Sequence, residues 1–174
     1  MNVCVFCGAS EGSASHREKA FELGKAIACK GHRLVYGGSD LGLMGYLARG
    51  AKEGGGEVVS IIPSFFSNRG VDDPLSDVRY SVTTMGERKD KMIEMSDLFI
   101  ALPGGIGTLD EIGDVLTLIS LRRKSARLIL CDFDGFYASL KALLHSMKEQ
   151  GYIPTPWNAE PIYAKSLSEI ESYL

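Results

Sequence analysis

The sequence predicts an α/β fold: a doubly wound parallel sheet, Rossmann-like, with helices on both faces. Apolar runs typical of strands alternate with segments whose apolar residues recur at helical spacing. The runs are apolar throughout, as expected for parallel strands that are covered on both faces. Twenty glycines, a share well above the usual ~7%, gather where the predicted strands end.

The length and composition indicate one folded domain covering residues 1–174. The chain is 45% hydrophobic, enough for one buried core, and contains no internal repeat or linker. Its net charge of −3 provides no basic face for a phosphate backbone, so we expect no nucleic-acid partner. No apolar run approaches the ~18 residues that cross a bilayer, and the chain opens without a signal peptide. We therefore expect a cytoplasmic protein with no membrane partner.

The first third of the chain predicts three strands separated by two helices. Residues 3–6 form an apolar run, and a glycine-rich loop and a helix face at 20–27 follow it. The pattern repeats with a strand at 33–36 and a helix at about 43–52. A third strand follows at 57–62.

The remainder continues the alternation after one long interruption. Residues 63–77 are rich in Pro, Ser, Asn and Asp without periodicity, which predicts a surface loop that we interpret as a lid. The further predicted elements are an extended piece at 80–83, a helix at 85–95, a strand at 98–102, a helix face from Leu109 to Ile119, a strand at 127–131, a helix at 136–149 and a last helix from Ser166, where Ser-Leu-Ser-Glu has capping-box form.

Three glycine-rich loops follow predicted strands, at residues 7–12, 37–42 and 103–108. In a doubly wound sheet, ligands bind at the carboxyl ends of the strands where the strand order reverses. Glycines beside a helix start let backbone N–H groups approach an anion, and the helix dipole adds to the attraction. We therefore favour a phosphate-containing small ligand over glycines that only make tight turns.

Two common phosphate-binding motifs are absent from these loops. No Gly-Lys-Ser/Thr occurs, which excludes a Walker-type nucleotide triphosphatase. Gly8 does not begin a G-x-G-x-x-G element, and Gly37-Gly38 follows the second strand where an acidic residue would bind a ribose, so NAD and FAD are not expected.

Several polar residues leave two interpretations open. Thr108 and Glu111 have T-x-x-E form at a helix start, which fits either a capping box or a carboxylate pointing across the phosphate cradle. Arg88 and Lys89 lie in a charged helical run, which is ordinarily a solvated face, although an arginine here could bind phosphate. Asp132-Phe133-Asp134 is interpreted as a turn rather than a cation site.

The four cysteines predict neither a disulfide framework nor a metal site. Cys4 and Cys7 form C-x-x-C, but the chain has no second Cys/His pair, and His16, His32 and His145 stand alone. Both thiols lie in or beside an apolar run, so we interpret them as buried strand residues.

Four segments together resemble one known family. They are Phe-Cys-Gly-Ala-Ser at 6–10, Tyr-Gly-Gly through Gly-Leu-Met-Gly at 36–45, Met85 with Arg88-Lys89, and above all Pro-Gly-Gly-Ile-Gly-Thr-Leu-Asp-Glu at 103–111. The chain resembles the Lonely Guy family of cytokinin riboside 5′-monophosphate phosphoribohydrolases, many of which carry the older label "lysine decarboxylase-like". The similarity extends from Met1 to the last helix.

This resemblance implies hydrolysis of the N-glycosidic bond of a nucleoside 5′-monophosphate, in a homodimer and without a cofactor. By position, Arg88 and Glu111 match the family's catalytic pair. The substrate-binding positions implied in the same way are Ser10, Gly38, Lys89, Gly104, Gly105, Ile106, Gly107, Thr108 and Thr117. The implied dimer contact involves the helices near Arg88 and at 108–121.

Three departures from the family pattern concern the base that is accepted rather than the reaction. Gly86 stands where a His is usual, and Leu118 and Ser120 replace a Trp and a Gln. The 63–77 segment lacks the usual Pro-Arg-Glu element. A second hypothesis is a non-catalytic carrier of a phosphorylated ligand, similar to the molybdenum-cofactor carriers, which share the glycine-rich cradle. Lysine decarboxylation would need a lysine bound to pyridoxal phosphate, and no lysine here has that context.

Overall fold

The computed structural model describes residues 1–67 and 74–174. Within those ranges strands and helices alternate along the chain. The strands are β1 (Asn2–Phe6), β2 (Arg33–Tyr36), β3 (Val58–Pro63), β4 (Val78–Val82), β5 (Leu98–Ala101), β6 (Arg127–Cys131) and β7 (Ile162–Ala164). The helices are α1 (Ala14–Cys29), α2 (Gly42–Glu53), α3 (Ser64–Ser67), α4 (Met85–Glu94), α5 (Ile106–Ser120), α6 (Ala138–Glu149) and α7 (Leu167–Glu171).

The strands form one parallel sheet in the order β4-β3-β2-β1-β5-β6-β7. The chain moves outward from β1 to β4 and then returns to the other side of β1 to make β5. The strand order therefore reverses between β1 and β5, and the loops that follow these two strands meet there, where the N–H of Gly8 donates to the carbonyl of Pro103 at 3.4 Å. The predicted doubly wound fold is confirmed.

Two buried layers cover the two faces of the sheet. Along β1, Val3 and Val5 pack into the layer beneath α1, α2 and α7, whereas Cys4 and Phe6 pack into the layer beneath α4 and α5. Cys4 and Cys7 are both buried free thiols, as predicted. Among the described residues, every helix is too short or too polar to span a bilayer.

The sequence-based elements agree with the structure in type but differ at several ends. The extended piece at 80–83 belongs to β4, which pairs with β3 from Val78 onward. In the predicted loop at 63–77, Pro63 ends β3 and Ser64–Ser67 form α3, while residues 68–73 lie outside the described residues, as does that part of the lid interpretation.

Strand β7 was not predicted, because three residues at a sheet edge, two of them half-buried and one buried, give too short a pattern. The sixth helix begins at Ala138 instead of Phe136, since Phe133–Gly135 make a 3₁₀ turn in which Asp134 has a φ of 55°. Asp132 stabilises this turn by accepting from the N–H of Tyr137 at 2.7 Å, which confirms the turn interpretation. Ser166 caps α7 as predicted, accepting from the N–H of Glu169.

Candidate active site

A cavity of about 600 Å³ opens at the carboxyl ends of the central strands. It extends along the sheet edge from the β3 side, across β2, β1 and β5, to the β6 side. Its lining residues are Cys7, Gly8, Ala9, Ser10, Gly12, His16, Gly37, Gly38, Ser39, Leu41, Leu43, Met44, Ile62, Phe66, Met85, Arg88, Pro103, Gly104, Gly105, Gly107, Thr108, Glu111 and Phe136. The three glycine-rich loops therefore meet at one site, as the parallel topology predicts.

A buried ion pair lines this cavity. Nη1 of Arg88 donates to Oε1 of Glu111 at 2.9 Å, and Nε of Arg88 donates to the carbonyl of Ile61 at 3.2 Å. Arg88 is 8% exposed and Glu111 is 6% exposed, so both charges are largely withdrawn from water. A buried charge needs a partner and hydrogen bonds to be tolerated, and this pair supplies both.

Burial dominates the titration of Glu111. Desolvation raises the pKa of its carboxyl above the ordinary value, and the nearby guanidinium of Arg88 opposes that rise. Desolvation also raises the pKa of the Cys7 thiol strongly, with the charge of Glu111 adding to the effect. The thiol is therefore protonated and a poor nucleophile at neutral pH.

Helix α4 carries Arg88 inward because of how the helix begins. Thr84 is the N-cap: its hydroxyl accepts from the N–H of Glu87, and the Glu87 carboxylate accepts from the N–H of Thr84. This capping box fixes the first turn and places Arg88 on the buried side. The solvated-face interpretation is therefore wrong for Arg88.

Gly37, directly after β2, lies against the guanidinium group of Arg88. A Cβ on Gly37 would overlap the Nη2 atom of Arg88. The absence of a side chain at this position thus makes room for the buried arginine, which explains one of the glycines at the end of β2.

Helix α5 begins at the glycine loop after β5. Gly105 is its N-cap and offers no side-chain hydrogen bond. Thr108 lies inside the first turn, and a Cβ on Gly104 would overlap its hydroxyl group. The capping-box interpretation of Thr108 and Glu111 is therefore wrong, because the helix starts two residues before Thr108 and Glu111 pairs with Arg88 instead.

The structure separates the substrate-binding positions implied by the resemblance into two groups. Six of them line the cavity: Ser10, Gly38, Gly104, Gly105, Gly107 and Thr108. Three do not. Ile106 and Thr117 lie on the exposed side of α5, and the Nζ of Lys89 is held by Asp110 and Asp114, in each case at 2.8 Å.

The sequence reasoning did not select the apolar part of the lining. Met44, Ile62, Phe66 and Met85 gather at the β2–β3 end, and Phe136 stands with His16 at the β6 end. These residues come from five separate segments, so no local pattern groups them. Their positions at the carboxyl ends of strands, directly after strands or near helix starts are the signal that could have indicated them.

Fold and site together define a doubly wound α/β protein with a glycine-lined cavity at its switch point and a buried Arg–Glu pair. The model of the family described as "possible lysine decarboxylase" matches residues 44–170. A probable cytokinin riboside 5′-monophosphate phosphoribohydrolase from Oryza sativa subsp. japonica is 39% identical over 99% of this chain and 72% of its own length. A cytokinin riboside 5′-monophosphate phosphoribohydrolase from Arabidopsis thaliana is 38% identical over 88% of this chain and 72% of its own length. The chain belongs to this family, the Lonely Guy family.

Solved structures share the fold at lower identity. The molybdenum cofactor carrier protein from Chlamydomonas reinhardtii matches with a TM-score of 0.74 at 22% identity, over 99% of this chain and 94% of its own. The molybdenum cofactor binding protein from Rippkaea orientalis matches with a TM-score of 0.72 at 23% identity, over 99% of this chain and 96% of its own. At these identities the likeness concerns the fold.

Proposed function

We propose that this protein hydrolyses the N-glycosidic bond of a nucleoside 5′-monophosphate, such as a cytokinin riboside monophosphate or an AMP-like nucleotide. Water adds to C1′ of the ribose while the bond from C1′ to the base nitrogen breaks and its electrons leave with the base. The base receives the proton that the water gives up. The products are the free base and ribose 5-phosphate.

The observation that carries this proposal is the buried Arg88–Glu111 pair beside the glycine-rich start of α5. Cleavage of a glycosidic bond builds positive charge on the sugar ring, and a carboxylate placed in a low-dielectric site stabilises such charge. The 2.9 Å contact with Arg88 holds the Glu111 carboxylate in one orientation. The family membership and the substrates named for the relatives support the same reaction.

We place the nucleotide along the cavity by the chemistry of its two ends. The backbone N–H groups at the start of α5 suit a phosphate, since they lack a side-chain cap and lie at the positive end of a 15-residue helix. Met44, Ile62, Phe66 and Met85 form an apolar end that suits a base. In this arrangement the ribose lies over Glu111, and Arg88 orients the nucleotide and offsets charge on the departing base or the phosphate.

We propose a homodimer whose contact includes the exposed side of α5. Ile106 is 82% exposed and Leu109 47% in the first turns of α5, and Leu121, the C-cap of the helix, is 64% exposed. Large apolar side chains exposed on one helix are unfavourable in water and suit a second copy of the chain.

Two further proposals concern the molecule as a whole. We propose a cytoplasmic location, which is supported by four cysteines too scattered for a disulfide framework. We also propose that residues 1–174 act as one domain, since β2 to β4 on one side of β1 and β5 to β7 on the other belong to a single sheet.

The experiment that tests the reaction is chromatographic detection of free base. The protein is incubated with a panel of nucleoside monophosphates that includes AMP and its prenylated derivative, beside Glu111→Ala. We expect release by the wild type and a fall in kcat of about a hundredfold to a thousandfold in the variant, as for loss of one group that stabilises transition-state charge. Glu149→Ala, which removes an exposed carboxylate from α6, is the control.

Two outcomes would contradict the proposal. Full release by Glu111→Ala would remove Glu111 from the reaction. Tight binding of a nucleotide by the wild type without any release would favour a carrier over an enzyme.

A further inference from the structure

His16 lies at the β6 end of the cavity. Its side chain is 15% exposed and lines the cavity wall beside Phe136, with the two rings edge to face and their centroids 6.0 Å apart. Phe136 follows β6, which neighbours β5, so both rings lie on the side of the glycine loop away from the apolar end at β3. His16 is thus next to the region in which the phosphate is placed.

His16 can supply a positive charge that the rest of the cavity lacks. Among the described residues of the lining, Arg88 and His16 are the two that can carry one. The charge of Arg88 is offset by Glu111 at 2.9 Å. Lys89, which the family resemblance implies as a substrate-binding residue, is engaged by Asp110 and Asp114 outside the cavity.

The His16 ring itself is only weakly engaged. Its Nε2 lies 3.9 Å from Oδ2 of Asp134, which is too long for a hydrogen bond. Asp134 is 69% exposed in its side chain and is also approached by Lys19, at 3.4 Å, so its charge is shared. The imidazole is therefore able to donate to a ligand without first losing a strong partner.

The helix that carries His16 adds to the same attraction. His16 is the third residue of α1, a 16-residue helix, and lines the cavity together with Gly12, while its backbone N–H donates to the N-cap hydroxyl of Ser13 at 3.1 Å. Helix α5 packs on the opposite face of the sheet, and its first turn, at Gly107 and Thr108, lines the same cavity. The imidazole of His16 and the uncapped positive end of α5 thus line the same cavity, and the dipole of α1 adds to the attraction for an anion.

We propose that His16 is a specificity-determining residue that donates a hydrogen bond to the 5′-phosphate and so selects phosphorylated over unphosphorylated nucleosides. The proposal rests on the proposed function, because it takes the phosphate of a nucleoside monophosphate as the group at this end. His16 takes no part in breaking the glycosidic bond. Its removal therefore affects binding of the phosphate more than the chemical step.

The test compares AMP with adenosine for the wild type, His16→Gln and His16→Leu. For His16→Leu we expect the KM for AMP to rise about tenfold to a hundredfold, the loss of one hydrogen bond to a charged group. We expect kcat for AMP to change less than about twofold and kcat/KM for adenosine to stay the same. His16→Gln keeps a donor without the charge and should lie between wild type and His16→Leu.

The control is His145→Gln, which alters an exposed histidine on α6 away from the cavity and should leave every parameter unchanged. Thermal melting of each variant checks folding, and His16→Gln serves if the leucine variant does not fold. An unchanged KM for AMP in the folded variants overturns the proposal. An equal fall in kcat/KM for AMP and for adenosine also overturns the proposal, because the effect would then be structural.

A binding measurement separates failure of this proposal from failure of the proposed function. Calorimetric titration with ribose 5-phosphate and with ribose needs no catalysis. If the wild type releases no base from any nucleotide, the proposed function fails, but weaker binding of ribose 5-phosphate by His16→Leu with unchanged ribose binding still supports the role of His16. Equal binding of ribose 5-phosphate by both proteins overturns it.

Discussion

At the scale of single residues, Arg88 and Glu111 depend on each other. Each is less than a tenth exposed, and each would be a buried charge without its partner. Their responses to the loss of a partner differ, however. An arginine cannot lose its proton within a protein, whereas a buried carboxyl can take one up, and burial already raises the pKa of Glu111.

This difference predicts how the two single variants respond to pH. Glu111→Leu should lower the free energy of unfolding by about 3–5 kcal/mol at every pH, since Arg88 stays charged and unpaired. Arg88→Met should lower the free energy of unfolding less at pH 5, where Glu111 can be protonated, than at pH 8, where Glu111 must be charged. The double variant Arg88→Met/Glu111→Leu should recover most of the loss. Urea unfolding measures all three.

The result that would contradict this prediction is a cost for Arg88→Met that does not change between pH 5 and pH 8. A double variant as unstable as Glu111→Leu would indicate instead that packing, rather than unpaired charge, sets the cost. The glycosidase assay should find all three variants impaired, whatever their stability.

At the scale of elements, the start of α5 depends on the absence of a side chain at Gly104. Gly104 packs over Thr108, and Thr108 is buried one turn before Glu111 along the helix. A group at position 104 would thus displace the helix end that carries both the proposed phosphate contacts and the carboxylate. Gly107, in the first turn of α5, is different, because a Cβ there would meet no atom within 4 Å.

Gly104→Ala should therefore lower kcat/KM about a hundredfold, the effect of moving reacting groups by roughly 1 Å. It should also destabilise the protein by about 1–3 kcal/mol, the cost of an overpacked site. Gly107→Ala, three residues further on in the first turn of α5, should leave the melting temperature unchanged or raise it. Steady-state kinetics and thermal melting measure the two effects, and equal melting temperatures for both variants would contradict this account.

At the scale of the whole molecule, the sheet explains why the site and the proposed dimer contact lie close together. Helix α5 turns Glu111 toward the cavity and leaves Ile106, Leu109 and Leu121 on its outer side. One helix therefore serves both the proposed catalytic site and the proposed contact. Formation of the dimer would bury Ile106 and Leu109 close to the lining residues Gly107 and Thr108 of the cavity.

Leu109→Asp should convert the dimer to a monomer, because a charge would then face the apolar surface of the partner. Size-exclusion chromatography with light scattering measures the mass directly. Cys29→Asp introduces the same charge at an exposed position of α1, on the opposite face of the sheet, and should leave the dimer intact. A dimer that survives Leu109→Asp would place the contact elsewhere on the molecule.

The sequence by itself determined the class of fold and the family. Continuous apolar runs and helical spacing are local patterns, and they predicted the alternating elements from β1 to α7 apart from the four-residue α3 and the three-residue β7. The glycines at the strand ends predicted the location of the site, because parallel strands all end at one edge. Four segments, above all Pro-Gly-Gly-Ile-Gly-Thr-Leu-Asp-Glu at 103–111, indicated the relatives, and the similarity to those relatives confirmed the family.

Only the tertiary structure decided what the charged residues do. Arg88 and Lys89 are neighbours in one charged helical run, yet Arg88 is buried against Glu111 while Lys89 is bound by Asp110 and Asp114 outside the cavity. Arg88 and Glu111 are 23 residues apart on different helices. Local periodicity gives the side of a helix on which a residue lies. Which partner meets that side depends on how the helices pack on the sheet, and that packing decides whether a charge is buried or solvated.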